Sequence, residues 1–131
     1  MHIVLSVETY SMVIEIACSP SCKQENLSKS EVKNIFLKKR KYINGEYIVV
    51  LYNPDKTVYK QFAKLYLSKT LLQMKTYWTR NLFMGKLIPP EKIDMLHLNK
   101  YNNTICYMSF FNMLQKPENW KVIQTNIESF K

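Results

Sequence analysis

An α/β fold is predicted for this chain: a small three-layer sandwich with a mostly parallel sheet. Three observations predict it. Residues 47–52, Tyr-Ile-Val-Val-Leu-Tyr, form a continuous apolar run rich in β-branched residues, as in a strand covered on both faces. Amphipathic stretches with helix-start signals stand on both sides of that run, so strands and helices alternate. With 131 residues, 47% of them hydrophobic, the chain is long enough for one real core.

The elements follow in order. His2 to Leu5 reads as an edge strand or a leader remnant, and residues 1–12 are set apart as an N-terminal segment. Residues 13–131 are expected to form one domain. Met12 to Ala17 alternates enough for a first strand, and Cys18-Ser19-Pro20-Ser21-Cys22 breaks it. Ser28 and Glu31 make a capping box, with Leu27 and Val32 placed to close a hydrophobic staple. Val32, Ile35 and Phe36 form the apolar face of the helix that follows. Asn44-Gly45 makes a turn into the strand through Tyr52. Asp55 caps a helix running to about Leu67, striped by Val58, Phe62, Leu65 and Tyr66. Thr70 and Gln73 repeat the capping box, and Leu71, Met74, Trp78 and Leu82 stripe a third helix that Gly85 ends. Pro90 begins a short helix through Ile93 and Leu96. Thr104 to Met108 reads as a strand, Ser109 as the cap of a helical turn with Phe110 and Phe111, and Trp120 to Gln124 as a last strand. A frayed tail follows.

The net charge of +9, from 19 basic and 10 acidic residues, draws polyanions to the surface. No apolar run approaches the roughly 18 residues of a membrane span. Met1 to Ala17 makes a poor signal peptide, because it lacks an early Lys or Arg and contains Glu8 and Glu15. In an oxidising compartment Cys18 and Cys22 can pair, leaving Cys106 free and buried; in a reducing one all three are small core or loop residues. His2 and His97 lack metal-ligand spacing to these cysteines, so no metal and no cofactor are implied.

Several stretches together carry a resemblance. Leu27-Ser28, Glu31-Val32, Ile35-Phe36-Leu37, Lys39-Arg40-Lys41 and Asn44-Gly45 resemble the signature of short bacterial proteins similar to the phosphate-binding proteins of ABC importers. Phe62, Tyr77-Trp78 with Arg80, Phe83-Met84-Gly85, Pro89-Pro90 and Ile105-Cys106-Tyr107 continue the match in order, so that it covers about Val13 to Ile123. The resemblance implies one lobe of a type II periplasmic binding protein, a location in the periplasm or cell envelope, and phosphate or a similar oxyanion as ligand. Three departures stand against a working ligand loop. The family's Arg and Ser-Gly-Thr run is replaced by Tyr52-Asn53-Pro54-Asp55-Lys56-Thr57, and Lys38 and Cys106 occupy positions where the family has glycine.

Catalysis finds no support. The two histidines are far apart in sequence, G-x-S-x-G is absent, and two glycines cannot build a phosphate loop. Anion binding has a candidate set at the strand ends: Ser19, Ser21, Asn53, Lys56, Thr57 and Ser109, whose hydroxyls and neighbouring amides suit an oxyanion. Asp55 would compete for those amides. Lys38, Lys39, Arg40 and Lys41 form a basic patch. The expected function is therefore a non-enzymatic solute-binding-like domain with a degenerate ligand motif. One alternative is an envelope protein-interaction module that self-associates or docks a partner. The other is polyanion binding by the basic surface, although aromatics on apolar faces argue for core packing rather than stacking on nucleic acid.

Overall fold

A computed structural model describes residues 13–126. The expectations for His2 to Leu5, for a leader and for the tail beyond residue 126 lie outside the described residues. The strands are β1 (Ile14–Cys18), β2 (Asn26–Ser28), β3 (Tyr42–Ile43), β4 (Glu46–Val50), β5 (Cys106–Asn112), β6 (Lys121–Val122) and β7 (Gln124–Asn126). The helices are α1 (Lys29–Phe36), α2 (Lys56–Phe62), which runs on as a π-helical turn over Ala63–Leu67, and α3 (Leu71–Phe83), with a 3-10 turn at Leu98–Tyr101.

A five-stranded sheet in the order β3-β4-β5-β1-β6 forms the middle layer, and β2 pairs with β7 beside it. The α/β class is as the sequence predicts. The strand directions correct the expectation of a mostly parallel sheet. Only β4 and β5 run parallel within it; β3 with β4, β1 with β5 and β1 with β6 are antiparallel. The crossover through α2 and α3 makes β4 and β5 parallel, as such connections do. No crossover joins β1 to either neighbour, and it enters between β5 and β6 in the opposite sense.

The local signals produce the local structure. Ser28 Oγ accepts from Glu31 N at 3.0 Å while Glu31 Oε1 accepts from Ser28 N at 2.9 Å. Thr70 and Gln73 repeat this reciprocal bond at the start of α3. Asn44 and Gly45 both have positive φ, 50° and 82°, which matches the twist of a two-residue hairpin between β3 and β4. Lys38, without glycine's freedom, still takes φ 59° past the end of α1.

Side chains of β1, β4 and β5 meet the three helices in the larger core. Phe62 from α2 stacks on Phe110 from β5 with ring centroids 3.8 Å apart, and Phe36 from α1 meets Phe62 edge-on at 4.9 Å. Just past β4, the Tyr52 hydroxyl donates to Phe36 O, and Tyr77 of α3 donates to Leu37 O at 2.7 Å. Two tyrosines thereby satisfy carbonyls that the end of α1 leaves open. The opposite face of the sheet carries Ala17, Leu51, Phe111 and Trp120 under Ile93 and Tyr101, so its cover is the irregular segment around the 3-10 turn.

Two elements differ from expectation for tertiary reasons. No helix follows Pro90; Tyr52 N donates to Glu91 O and Ile93 N to Tyr52 O, so the segment joins the sheet edge by a parallel bridge. Ser109 caps nothing: with Phe110 and Phe111 it is fully buried inside β5. Leu82 of the predicted α3 stripe is exposed, while Met74 and Trp78 are buried. Replacing Phe62 by Ala is expected to cost about 3–5 kcal/mol, read as a lower denaturant midpoint at unchanged slope.

Candidate functional site

The direction of β1 decides where the predicted anion-binding residues fall. Cys18 lies opposite Met108, and Ser19 N donates to Tyr107 O at 2.9 Å, so β1 ends beside the amino end of β5. Ser19 is fully buried; its Oγ accepts from Tyr107 N at 2.9 Å. Ser21 Oγ donates to Ile105 O at 2.8 Å. Charged groups at this end include Glu46, which accepts from Lys23 N at 3.0 and 3.1 Å and from Gln24 Nε2 at 2.9 Å, and Lys121, whose Nζ donates to Cys22 O. Both hydroxyls are engaged in holding the chain, and a carboxylate sits beside them.

Asn53, Lys56 and Thr57 lie at the opposite end, where β4 and β5 terminate. Asn53 is buried, donating to Phe110 O at 2.9 Å and to Gln115 Oε1 at 3.1 Å. Asp55 Oδ1 accepts from Thr57 N at 2.9 Å and Val58 N at 3.2 Å, and Gln115 Nε2 donates to Asp55 Oδ2 at 3.1 Å. The first amides of α2 are thus occupied by the protein's own carboxylate. Ser109 Oγ donates to Leu51 O at 2.6 Å in the sheet interior. The structure separates the six residues: Ser19 and Ser21 at one end, Asn53, Lys56 and Thr57 at the other, Ser109 between and buried.

The basic turn is partly tied down. Lys38 Nζ donates to Ile88 O at 2.9 Å, and burial, reinforced by Lys41, lowers its pKa. Arg40 Nε donates to Tyr42 O at 2.9 Å, and its guanidinium stands 3.9 Å from Glu31. Lys38, Arg40 and Lys41 line a groove of about 600 Å³ along the outer edge of β4, together with Lys86, Lys100 and Glu91. Lys39 is exposed outside that lining.

Two features escape sequence reasoning. The first is the disulfide: Cys22 bonds Cys106, and Cys18 is the free, buried thiol. This corrects the expected pairing of Cys18 with Cys22. Cys18 is the last residue of β1, held in the core, while Cys22 stands past the turn beside the amino end of β5. A bridge closing 84 residues removes about 4–5 kcal/mol of unfolded-chain entropy in the loop-closure picture. The second is a lysine-lined hollow of about 790 Å³ outside α2, built from Lys56, Lys60, Lys64 and Lys69. The four-residue spacing of the first three was legible as one helix face.

Comparison with solved structures finds an ABC-type phosphate transport receptor from Vibrio cholerae, with a TM-score of 0.52 at 14% sequence identity. The match covers 86% of this chain and 45% of the receptor, so the chain spans less than half of that protein's length. No protein-family model matches the sequence, and no curated protein does. The described residues therefore have a fold like that of a periplasmic binding protein. Its particular counterpart here is part of a phosphate transport receptor.

Burial pushes the Cys18 thiol up from 9.0 to about 11, against the pull of Lys121. Its neutral form is favoured in the folded state, so the unfolded chain releases this proton first as pH rises. The Cys18 contribution to stability is expected to be complete below pH 9 and to fall progressively toward pH 11. Comparing denaturant midpoints of wild type and Cys18→Ala across that range checks it: the variant should lose less stability.

Proposed function

We propose that this chain is a non-enzymatic, solute-binding-like domain of the cell envelope that keeps the lobe fold but lacks a formed small-oxyanion site. Asp55 carries the reading. Its carboxylate already holds the Thr57 and Val58 amides, and Gln115 fixes its second oxygen. A phosphate approaching those amides would meet a negative charge and no free donor. The envelope location rests on the likeness to a transport receptor and is supported by the Cys22–Cys106 disulfide, since such bonds persist in oxidising compartments. Among the described residues no helix is long and apolar enough to cross a membrane.

Calorimetric titration with phosphate, sulfate and small carboxylates is expected to give no saturable heat at millimolar ligand and no thermal shift. Saturable phosphate binding would show that a small-oxyanion site persists. Asp55→Ala should cost about 0.5–2 kcal/mol through loss of the cap alone.

A protein-interaction role is favoured by one further observation. On α3, Phe83 is 92% exposed and Leu72 is 72% exposed, and both border the same shallow hollow. Large apolar side chains exposed together mark contact surfaces. If this face mediates self-association, the mass measured by sedimentation should rise with concentration and Phe83→Asp should abolish the rise. A strict monomer at high concentration would remove self-association as its role.

A further inference from the structure

The lysine hollow outside α2 belongs neither to the strand-end loops nor to the basic turn. Lys56, Lys60 and Lys64 recur every four residues along α2 and its π-helical extension, which sets successive ammonium stems about 6 Å apart along the helix. Lys69 closes the row where the chain turns into α3, beyond Ser68 with its left-handed φ of 54°. All four lysines line one concavity of about 790 Å³, within the roughly 300–1,000 Å³ typical of ligand sites.

The charge there is one-sided. Among the described residues no Asp or Glu lines the hollow. Among the described residues none of these four lysines joins an ion pair. The adjacent carboxylate, Asp55, faces the amides of α2 and Gln115 instead. The ammonium groups of Lys56, Lys60 and Lys64, carried on one helix face, repel each other, while Lys69 Nζ stands 5.8 Å from the centroid of the Tyr77 ring. The amino end of α3 adds to the positive charge. Thr70 and Gln73 satisfy each other's amides, which leaves the first-turn amides of Leu71 and Leu72 without helical partners, and Leu71 lines the hollow.

The composition narrows the ligand. Among the described residues no aromatic ring lines the hollow, so bases find no described ring to stack on. No arginine among the described residues lines it, so none offers the planar fork that suits carboxylates. Lysine ammonium groups act as point charges and bind phosphoryl oxygens well.

We propose that this hollow binds a ligand carrying several phosphoryl groups, held by its row of lysines. A linear polyphosphate and a cluster of phosphorylated lipid headgroups share that chemistry.

The test uses the full chain at low salt with two probes: sodium tripolyphosphate by calorimetry, and phosphatidic acid vesicles against phosphatidylcholine vesicles by co-sedimentation. Binding to at least one phosphorylated probe is expected. It should weaken as salt rises, as electrostatic phosphate contacts do. The triple variant Lys60→Gln, Lys64→Gln, Lys69→Gln should weaken binding by about tenfold or more while melting as wild type does, because all three stand at or near the surface. Lys38→Gln with Lys41→Gln should leave binding unchanged. Tripolyphosphate binding assigns a soluble source, and vesicle-only binding lost in the triple variant assigns a headgroup. Failure to bind either probe, or equal binding by the triple variant, overturns the proposal.

Discussion

The contact on which the architecture turns is the stack of Phe62 on Phe110. Phe110 sits in β5, which pairs with β4 on one side and β1 on the other. Phe62 comes from α2, and Phe36 brings α1 to the same point. Tyr52 packs 5.4 Å from Phe110 and also donates its hydroxyl to Phe36 O, the last carbonyl of α1. One aromatic cluster therefore fixes both the height of the helical layer above the sheet and the position of the end of α1. Burial near that cluster also raises the pKa values of the Tyr52 and Tyr59 hydroxyls, and Tyr52 stays a neutral donor to Phe36 O.

What the sequence made legible was local. The capping boxes at Ser28 and Thr70, the Asn44-Gly45 turn and the Asp55 cap each involve residues within three or four positions of one another. Their geometry follows from chain chemistry alone. Strand direction is different in kind. Alternating strands and helices suggest parallel neighbours, yet β1 pairs with β5 across nearly the whole chain, and nothing near Ile14 records that partner. The same blindness made Ser109 look like a helix cap: a serine before two phenylalanines is ambiguous until the sheet buries all three. The reading of the site inherited this error. A parallel β1 would have delivered Ser19 and Ser21 to the end of the sheet that holds Asn53 and Thr57. The antiparallel strand delivers them to the other end.

Charge shows a related asymmetry between sequence and space. Lys38 to Lys41 stand out as an unbroken block, but Lys38 takes a left-handed backbone, and its ammonium and the Arg40 guanidinium bond backbone carbonyls. The block is dispersed by its own turn. Lys56, Lys60 and Lys64 are separated by apolar residues that the core needs, so no charge run is visible. Helical geometry then gathers them on one face, and the π-helical turn carries the row on to Lys69. A positive surface assembled by periodicity is harder to notice than one written as a run, and here it is the less encumbered of the two.

The Cys22–Cys106 bond has a mechanical consequence. Tension applied to the two chain ends would travel from residue 22 across the sulfurs to residue 106, bypassing everything between. Helices α1, α2 and α3 and the β3–β4 hairpin lie inside that bypassed stretch. Pulling would peel β1, β5, β6 and β7 while leaving the enclosed segment slack. A protease cut at the exposed Phe83–Met84 corner would likewise leave both pieces covalently joined. The bridge makes the interior of this chain a load-shielded cassette, and its integrity under shear or digestion depends on two sulfur atoms buried at one end of the sheet.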